Sequence, residues 1–226
     1  MNIRLPLIVS LLVVAAMAAL SAWAWQLLPD TARIAVHFDA NGVENGFDDK
    51  ARALIMMPVM AFGITALLAV IPQIEPRRSN LAASGKFYRA VWIGVIAILA
   101  MAHTSIVLGA LHVAVDIPHT VLPAVAVLFI VIGNYLGKTR SNFFAGIRTP
   151  WTLSSEYSWE KTHRLTGRLF MLAGAATLAA SFALPAKIAA EIMLAGLLAS
   201  AAVGVVASYI YWRRDPSRRS SDSAPE

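Results

Sequence analysis

The residues best equipped for chemistry in this 226-residue chain are its five histidines and the carboxylates beside them. Imidazole titrates near neutral pH and ligates metals. His37 lies in a polar stretch with Phe38, Asp39, Asn41, Gly42, Glu44 and Asp48, and His112, Asp116 and His119 share a second polar stretch. Brought to one face, His37, His112, Asp116 and His119 could hold zinc or pass protons. Their spacing matches no ligand motif, and the acidic stretch lacks the acid–amide–glycine order of a calcium loop. They are therefore expected to be solvated polar residues, and neither a metal nor a cofactor is predicted. Cysteine is absent, which excludes disulfides, thiol nucleophiles and cysteine-held zinc or iron–sulfur centres. H-E-x-x-H, G-x-S-x-G and phosphate-loop patterns are missing as well. The chain is not expected to be an enzyme.

His103 stands apart because it falls near the middle of an apolar run, where ionisable groups are costly and rare. One reading is a neutral imidazole bonded to a neighbouring helix, with Thr104 or Ser105 nearby. The other is a proton relay or ligand contact, which gives an alternative function as a small transporter or proton-conducting protein. What must position these residues follows from composition: 58% of residues are hydrophobic, 14% are charged, and mean hydropathy is +0.64. A soluble domain is roughly 45–50% apolar and about 25% charged. The apolar residues form six blocks: Leu5–Leu28, Ala53–Ile74, Ala90–Leu111, Pro118–Leu136, Leu169–Leu184 and Ile188–Trp212. At about 1.5 Å per residue, around 20 residues cross the hydrocarbon layer. The expected fold is an all-α polytopic membrane protein of six spans, with the lipid bilayer as its main partner. The first block also fits a secretory signal, with Arg4 before it and Ser21-Ala22-Trp23-Ala24 at its end. Its length and the interfacial Trp23, Trp25 and Gln26 favour a retained helix.

Charge then assigns the sides. Of nineteen Lys and Arg, only Arg33, Lys50, Arg52 and Lys187 fall in the loops that follow the odd-numbered spans. Positive loops stay in the cytoplasm, so both termini are expected there. On a soluble protein a net charge of +6 would suggest nucleic acid as a partner. Divided by side it does not.

Two loops carry the remaining signals. In the first, Ile34, Val36 and Phe38 alternate with Ala35, His37 and Asp39, and Asn41-Gly42 offers a tight turn, so a small outer β-hairpin resting on the helices is expected. The fourth loop, from Gly137 to Arg168, is dense in Trp, Arg and Thr. Pro150 disfavours helix at Thr149, and Ser154 or Ser155 can cap a new helix. That helix would carry Tyr157, Lys161, Arg164 and Arg168 on one face and Trp159, Thr162, His163, Thr166 and Phe170 on the other. It reads as a cytoplasmic interfacial helix on an anionic leaflet or as a docking face for a partner. Arg148 sits in irregular chain and needs a carbonyl, an acid or a lipid phosphate. Gly196, Ser200, Gly204 and Ser208 form a small-residue stripe that serves either the bundle or a dimer, so the oligomeric state stays open.

Three ordered strings in this region carry a resemblance. They are Gly133-Asn134-Tyr135-Leu136-Gly137-Lys138, then Asn142-Phe143-Phe144-Ala145-Gly146-Ile147-Arg148-Thr149-Pro150-Trp151-Thr152-Leu153-Ser154, then Trp159-x-x-Thr162-His163-Arg164-x-x-Gly167-Arg168. Together they resemble the SdpI family of bacterial immunity membrane proteins. Pro29, His37-Phe38, Gly42, Lys50 and Pro58 resemble the small membrane domain of unknown function that often precedes it. The two resemblances cover most of the chain. They imply a bacterial inner-membrane protein with an N-terminal membrane domain over 1–80 and an SdpI-like region over 81–212, and they leave outside the match a basic tail over 213–226 that is expected to be disordered and cytoplasmic. They also imply immunity to a membrane-active peptide toxin, with signalling through a cytoplasmic transcriptional repressor. Asn134, Gly137, Asn142, Gly146, Arg148, Thr149, Pro150, Trp151, Thr152, Trp159, His163, Arg164 and Gly167 enter as motif positions without assigned roles. His37, Phe38, Asp39 and Gly42 are the outer-loop candidates.

Overall fold

The computed structural model describes residues 1–217, so the tail beyond them, with Arg218 and Arg219, lies outside the described residues. Each apolar block forms one long helix: α1 (Arg4–Leu27), α2 (Lys50–Ile74), α4 (Gly85–Ala110), α5 (Ile117–Leu136), α7 (Glu156–Ala183) and α8 (Ala186–Arg213). All six are long and apolar enough to cross a membrane. The connections hold strands β1 (Arg33–Phe38) and β2 (Glu44–Asp49) and the short helices α3 (Arg78–Ala83) and α6 (Pro150–Ser154). Six crossings put α1's start and α8's end on one face of the bundle. The β-hairpin lies on the opposite face.

Packing divides the six helices into α1–α2–α4 and α5–α7–α8, joined where α4 meets α5. The first group is built on large side chains, with Trp92, Ile96 and Leu81 fully buried. Tyr88 meets Trp92 edge-on at 6.0 Å and donates its hydroxyl to the Leu68 carbonyl oxygen at 2.6 Å. The second group is built on small ones. A methyl group on Gly133 would strike Gly167, and one on Gly174 would come within 2.7 Å of the Ala126 carbonyl oxygen. Lipid is as apolar as leucine, so close backbone approach, with the dispersion contacts it brings, is what drives helices together in a bilayer.

The α8 stripe belongs to the same scheme. Gly196 lies against Ala173, Gly204 lies against Thr166 and Ile147, and Ser200 and Ser208 are buried. It serves the bundle.

One expected element takes a different form. The amphipathic segment after Ser155 is not a separate interfacial helix; it is the first half of α7, which runs unbroken for 28 residues. No glycine or proline breaks the chain between Glu156 and Leu165, and the aromatic face is covered by protein, so nothing obliges the helix to turn along the surface.

The hairpin forms where the alternation places it. Gly42 adopts φ +81°, which favours glycine, and closes the turn. Asp39 accepts from the Asn41 and Val43 amides at 2.8 and 2.9 Å. These bonds hold the Asp39 carboxyl below the usual carboxylate range. Ile34 anchors β1 among Leu54, Ile106 and Val107 on the helix ends. Lys50 sits at the β2–α2 junction, buried, with its ammonium on the Leu28 carbonyl oxygen at 2.7 Å and on Asp30 at 2.9 Å.

Candidate functional site

The segment from Gly137 to Ser155 wraps the ends of α5, α7 and α8, and its course is set by buried polar side chains. Asn142 is fully buried; its amide donates to the Arg140 carbonyl oxygen, and its Oδ1 accepts from the Phe144 and Ala145 amides at 3.0 and 2.8 Å. Such a side chain stands in for backbone partners that a loop lacks. Thr149 and Thr152 close a reciprocal capping box that starts α6, with Pro150 at the first helical position, where its missing N–H costs nothing. The Thr149 hydroxyl reaches Ser208 of α8 at 3.0 Å, and Trp151 packs on Tyr209 with ring centroids 5.1 Å apart. Ser155 caps α7 and donates to Asp215 at 2.5 Å.

His163 is the pivot. It is fully buried and stacked on Trp159 at 4.0 Å. Its Nδ1 faces the Trp159 carbonyl oxygen at 2.8 Å, and its Nε2 accepts the Ile147 amide at 2.9 Å. A donor opposite Nε2 and an acceptor opposite Nδ1 fix the neutral tautomer protonated at Nδ1. The ring therefore holds the loop by its backbone and has no lone pair left for chemistry. Gly146 passes directly over it at φ +106°, and any β-carbon there would collide with the imidazole. Trp159 is fixed in turn by donation from Nε1 to the Thr139 carbonyl oxygen at 3.0 Å.

A second brace comes from the other helix group. Glu75, just past the end of α2, is buried at 1% exposure and accepts from the Arg77 amide at 2.8 Å and the Phe143 amide at 3.1 Å. Arg77 donates to Ser141 Oγ and to the Leu153 carbonyl oxygen at 2.9 Å, and its guanidinium lies over the Phe143 ring at 4.9 Å. Asn80 donates to the Ser141 carbonyl oxygen at 2.8 Å, and the Ser84 hydroxyl accepts from the Arg140 amide at 2.9 Å. Sequence reasoning missed these four residues. Their visible signal in the sequence is a Glu-Pro-Arg interruption at the end of an apolar run.

Bracing leaves a defined exposed surface. Phe143, Phe144 and Arg148 face outward, and Arg148 donates to the Phe143 carbonyl oxygen at 2.5 Å, the carbonyl option among its three expected partners. Lys161, Arg164 and Arg168 are exposed on α7, whereas Thr162, His163 and Thr166 are buried, as the two-faced pattern requires. Glu160 links Arg140 at 2.8 Å to Arg164 at 3.8 Å. Gly137 and Gly167 lie in the α5–α7 contact, and Asn134 is exposed, its Oδ1 accepting from Lys138 at 3.4 Å.

Residues 138–212, which begin at this loop and include α7 and nearly all of α8, match the model of the SdpI/YfhL protein family. That part of the chain is similar to the family. Residues 12–62 match a domain of unknown function (DUF1648), and residues 63–137, including the Glu75–Ser84 brace, lie outside both matches. Among curated proteins the chain is similar to "Immunity protein SdpI" of Bacillus subtilis (strain 168), at 28% identity over 90 residues, which is 40% of this chain and 43% of that protein. The chain thus spans less than half the length of that relative. No solved structure matches the chain. With six apolar helices and this similarity, the protein is a multi-pass membrane protein.

The other predicted residues lie elsewhere. His103 sits inside α1–α2–α4, where Nε2 donates to Ser21 Oγ at 3.0 Å and that hydroxyl donates to the Leu54 carbonyl oxygen at 2.7 Å. Its partner is on α1 rather than at Thr104, which bonds back to Ala100 within α4. On the hairpin face, His37 pairs with Asn45 and His119 with Asp116 at 2.9 Å. Asp116 caps α5 through the His119 amide, which lowers its carboxyl below the usual range. Among the described residues, no three His, Asp or Glu side chains converge as a metal site.

Proposed function

We propose that the protein confers resistance to a membrane-active peptide toxin and signals its presence to a cytoplasmic partner of the transcriptional-repressor kind. The observation that carries this reading is the rigidly braced loop of the SdpI/YfhL match, which presents Phe143, Phe144 and Arg148 outward. An aromatic–arginine surface on a fixed backbone suits protein docking, because little conformational entropy is lost on binding. The similarity to Immunity protein SdpI supports the immunity role. In this reading the hairpin face is external and the loop face cytoplasmic, since thirteen of the seventeen Lys and Arg among the described residues fall on the loop face. The protein acts without catalysis: the buried His163 and Glu75 have backbone partners at their ring nitrogens and carboxylate oxygens. His103, bonded into α1, serves packing in the same way.

The test is survival of sensitive cells under membrane-active peptides. Cells expressing the wild type should outlive vector controls. Arg148→Ala should retain membrane insertion but lose transcriptional signalling. Equal survival of wild type and vector would end the resistance reading.

A further inference from the structure

We propose that the cleft beneath the hairpin is a binding site for a cationic amphipathic peptide. The site has two joined parts. The inner is a cavity of about 330 Å³ with a mostly apolar wall that includes Met57 of α2, Ile106 of α4, Leu122 of α5 and Ala190 of α8, roofed by Phe38 of the hairpin. Beside it is a second cavity of about 500 Å³, walled by Asn41, Gly42 and Asp116 and sharing Phe38, Ile117 and Pro118 with the first. The inner part draws on both helix groups and is large enough for one or two bulky apolar side chains. Ligand pockets begin at about 300 Å³.

Charge decides the occupant. Asp39 stands at the rim of the apolar cavity and Asp116 at the rim of the polar one, and both are anionic across the neutral range. The whole hairpin face carries Asp30, Asp39, Glu44, Asp48, Asp49, Asp116 and Glu191 against Arg33, Lys50, Arg52 and Lys187. Lys187 opposes Asp39 weakly. Lys50 and Arg52 are already matched by Asp30 and Asp48, so the acidic excess remains after pairing. An apolar slot with an acidic lip selects a ligand with an apolar stripe and flanking cations, because the field draws it in and the cavity holds it. The site deepens the immunity reading and rests on it for the arrival of a peptide from this face.

The test uses the full chain in nanodiscs of zwitterionic lipid, with an amphipathic Leu/Lys peptide carrying one fluorophore as the probe. Binding should be saturable and exceed that to empty discs. Ala190→Phe fills the inner cavity and should weaken binding about tenfold, as should Leu122→Trp. Asp39→Asn with Asp116→Asn keeps the carbonyl oxygens that accept the turn and cap amides, and should weaken binding by a similar factor at low salt. Leu172→Ala, on the lipid face of α7, should change nothing. Unchanged affinity in both filled variants, each monodisperse and helical, would overturn the site. So would a Leu/Gln peptide binding as tightly as Leu/Lys, or equal signal from empty discs. Protection of cells that persists in Ala190→Phe counts against the site alone, whereas disc binding without protection counts against immunity alone.

Discussion

At the scale of single residues, the loop is held by groups whose identity is hard to change. Gly146 needs both a positive φ and the absence of a β-carbon above His163. Gly146→Ala should cost about 2–4 kcal/mol, from backbone strain plus displacement of a packed ring, and should appear as a lower melting temperature in detergent with Trp159 fluorescence shifted toward that of an exposed indole. Glu75→Gln keeps the size but puts an amide N–H₂ opposite one of two backbone donors. It should destabilise the loop by about 1–3 kcal/mol, read as faster hydrogen exchange at the Phe143 amide with the helices unaffected. His163 and Gly146 were visible in the sequence as motif positions, but their partnership was not. A glycine and a histidine seventeen residues apart meet only because α7 turns the imidazole under the loop.

At the scale of elements, the two helix groups obey different packing rules. In α5–α7–α8 the glycines are points of backbone contact, so Gly133→Ala would drive a methyl group into Gly167 and Met171. It should separate α5 from α7 and cost about 1–3 kcal/mol. Gly63 in α2 has nothing within 4 Å of where its β-carbon would be. Gly63→Ala should therefore be neutral or stabilising by up to about 1 kcal/mol through helix propensity. Thermal unfolding of the two variants side by side checks both. Block length was enough to place all six spans, because crossing a bilayer needs apolar length and little else. The Ser155 cap marked where a helix begins, but hydropathy could not show that this helix and the fifth span are one, since a helix end covered by the protein's own loop carries polar residues like any interfacial segment.

For the whole molecule, the absence of cysteine offers a direct test of sidedness. Val43→Cys lies on the exposed hairpin and Ser154→Cys on the exposed loop face. In intact spheroplasts an impermeant maleimide should label Val43→Cys, and Ser154→Cys should react only after permeabilisation. The opposite pattern would invert the proposed orientation and place the peptide cleft inside the cell. Joining the faces is α2, which begins directly at the end of β2 and terminates at Glu75 on the loop.

Composition and block length alone determined that this is a six-span membrane protein, and the ordered strings from Gly133 to Arg168 carried its resemblance to the SdpI family. Those properties are local, written in consecutive residues. The direction in which the α8 stripe faces was left for the tertiary structure to decide, as were the neutral state of His163 and the role of Glu75, Arg77, Asn80 and Ser84. The last four act on a loop about sixty residues further along the chain, and no periodicity or motif encodes a contact at that separation. The charge near Glu75 looked like ordinary surface charge until the fold buried its carboxylate against two backbone amides.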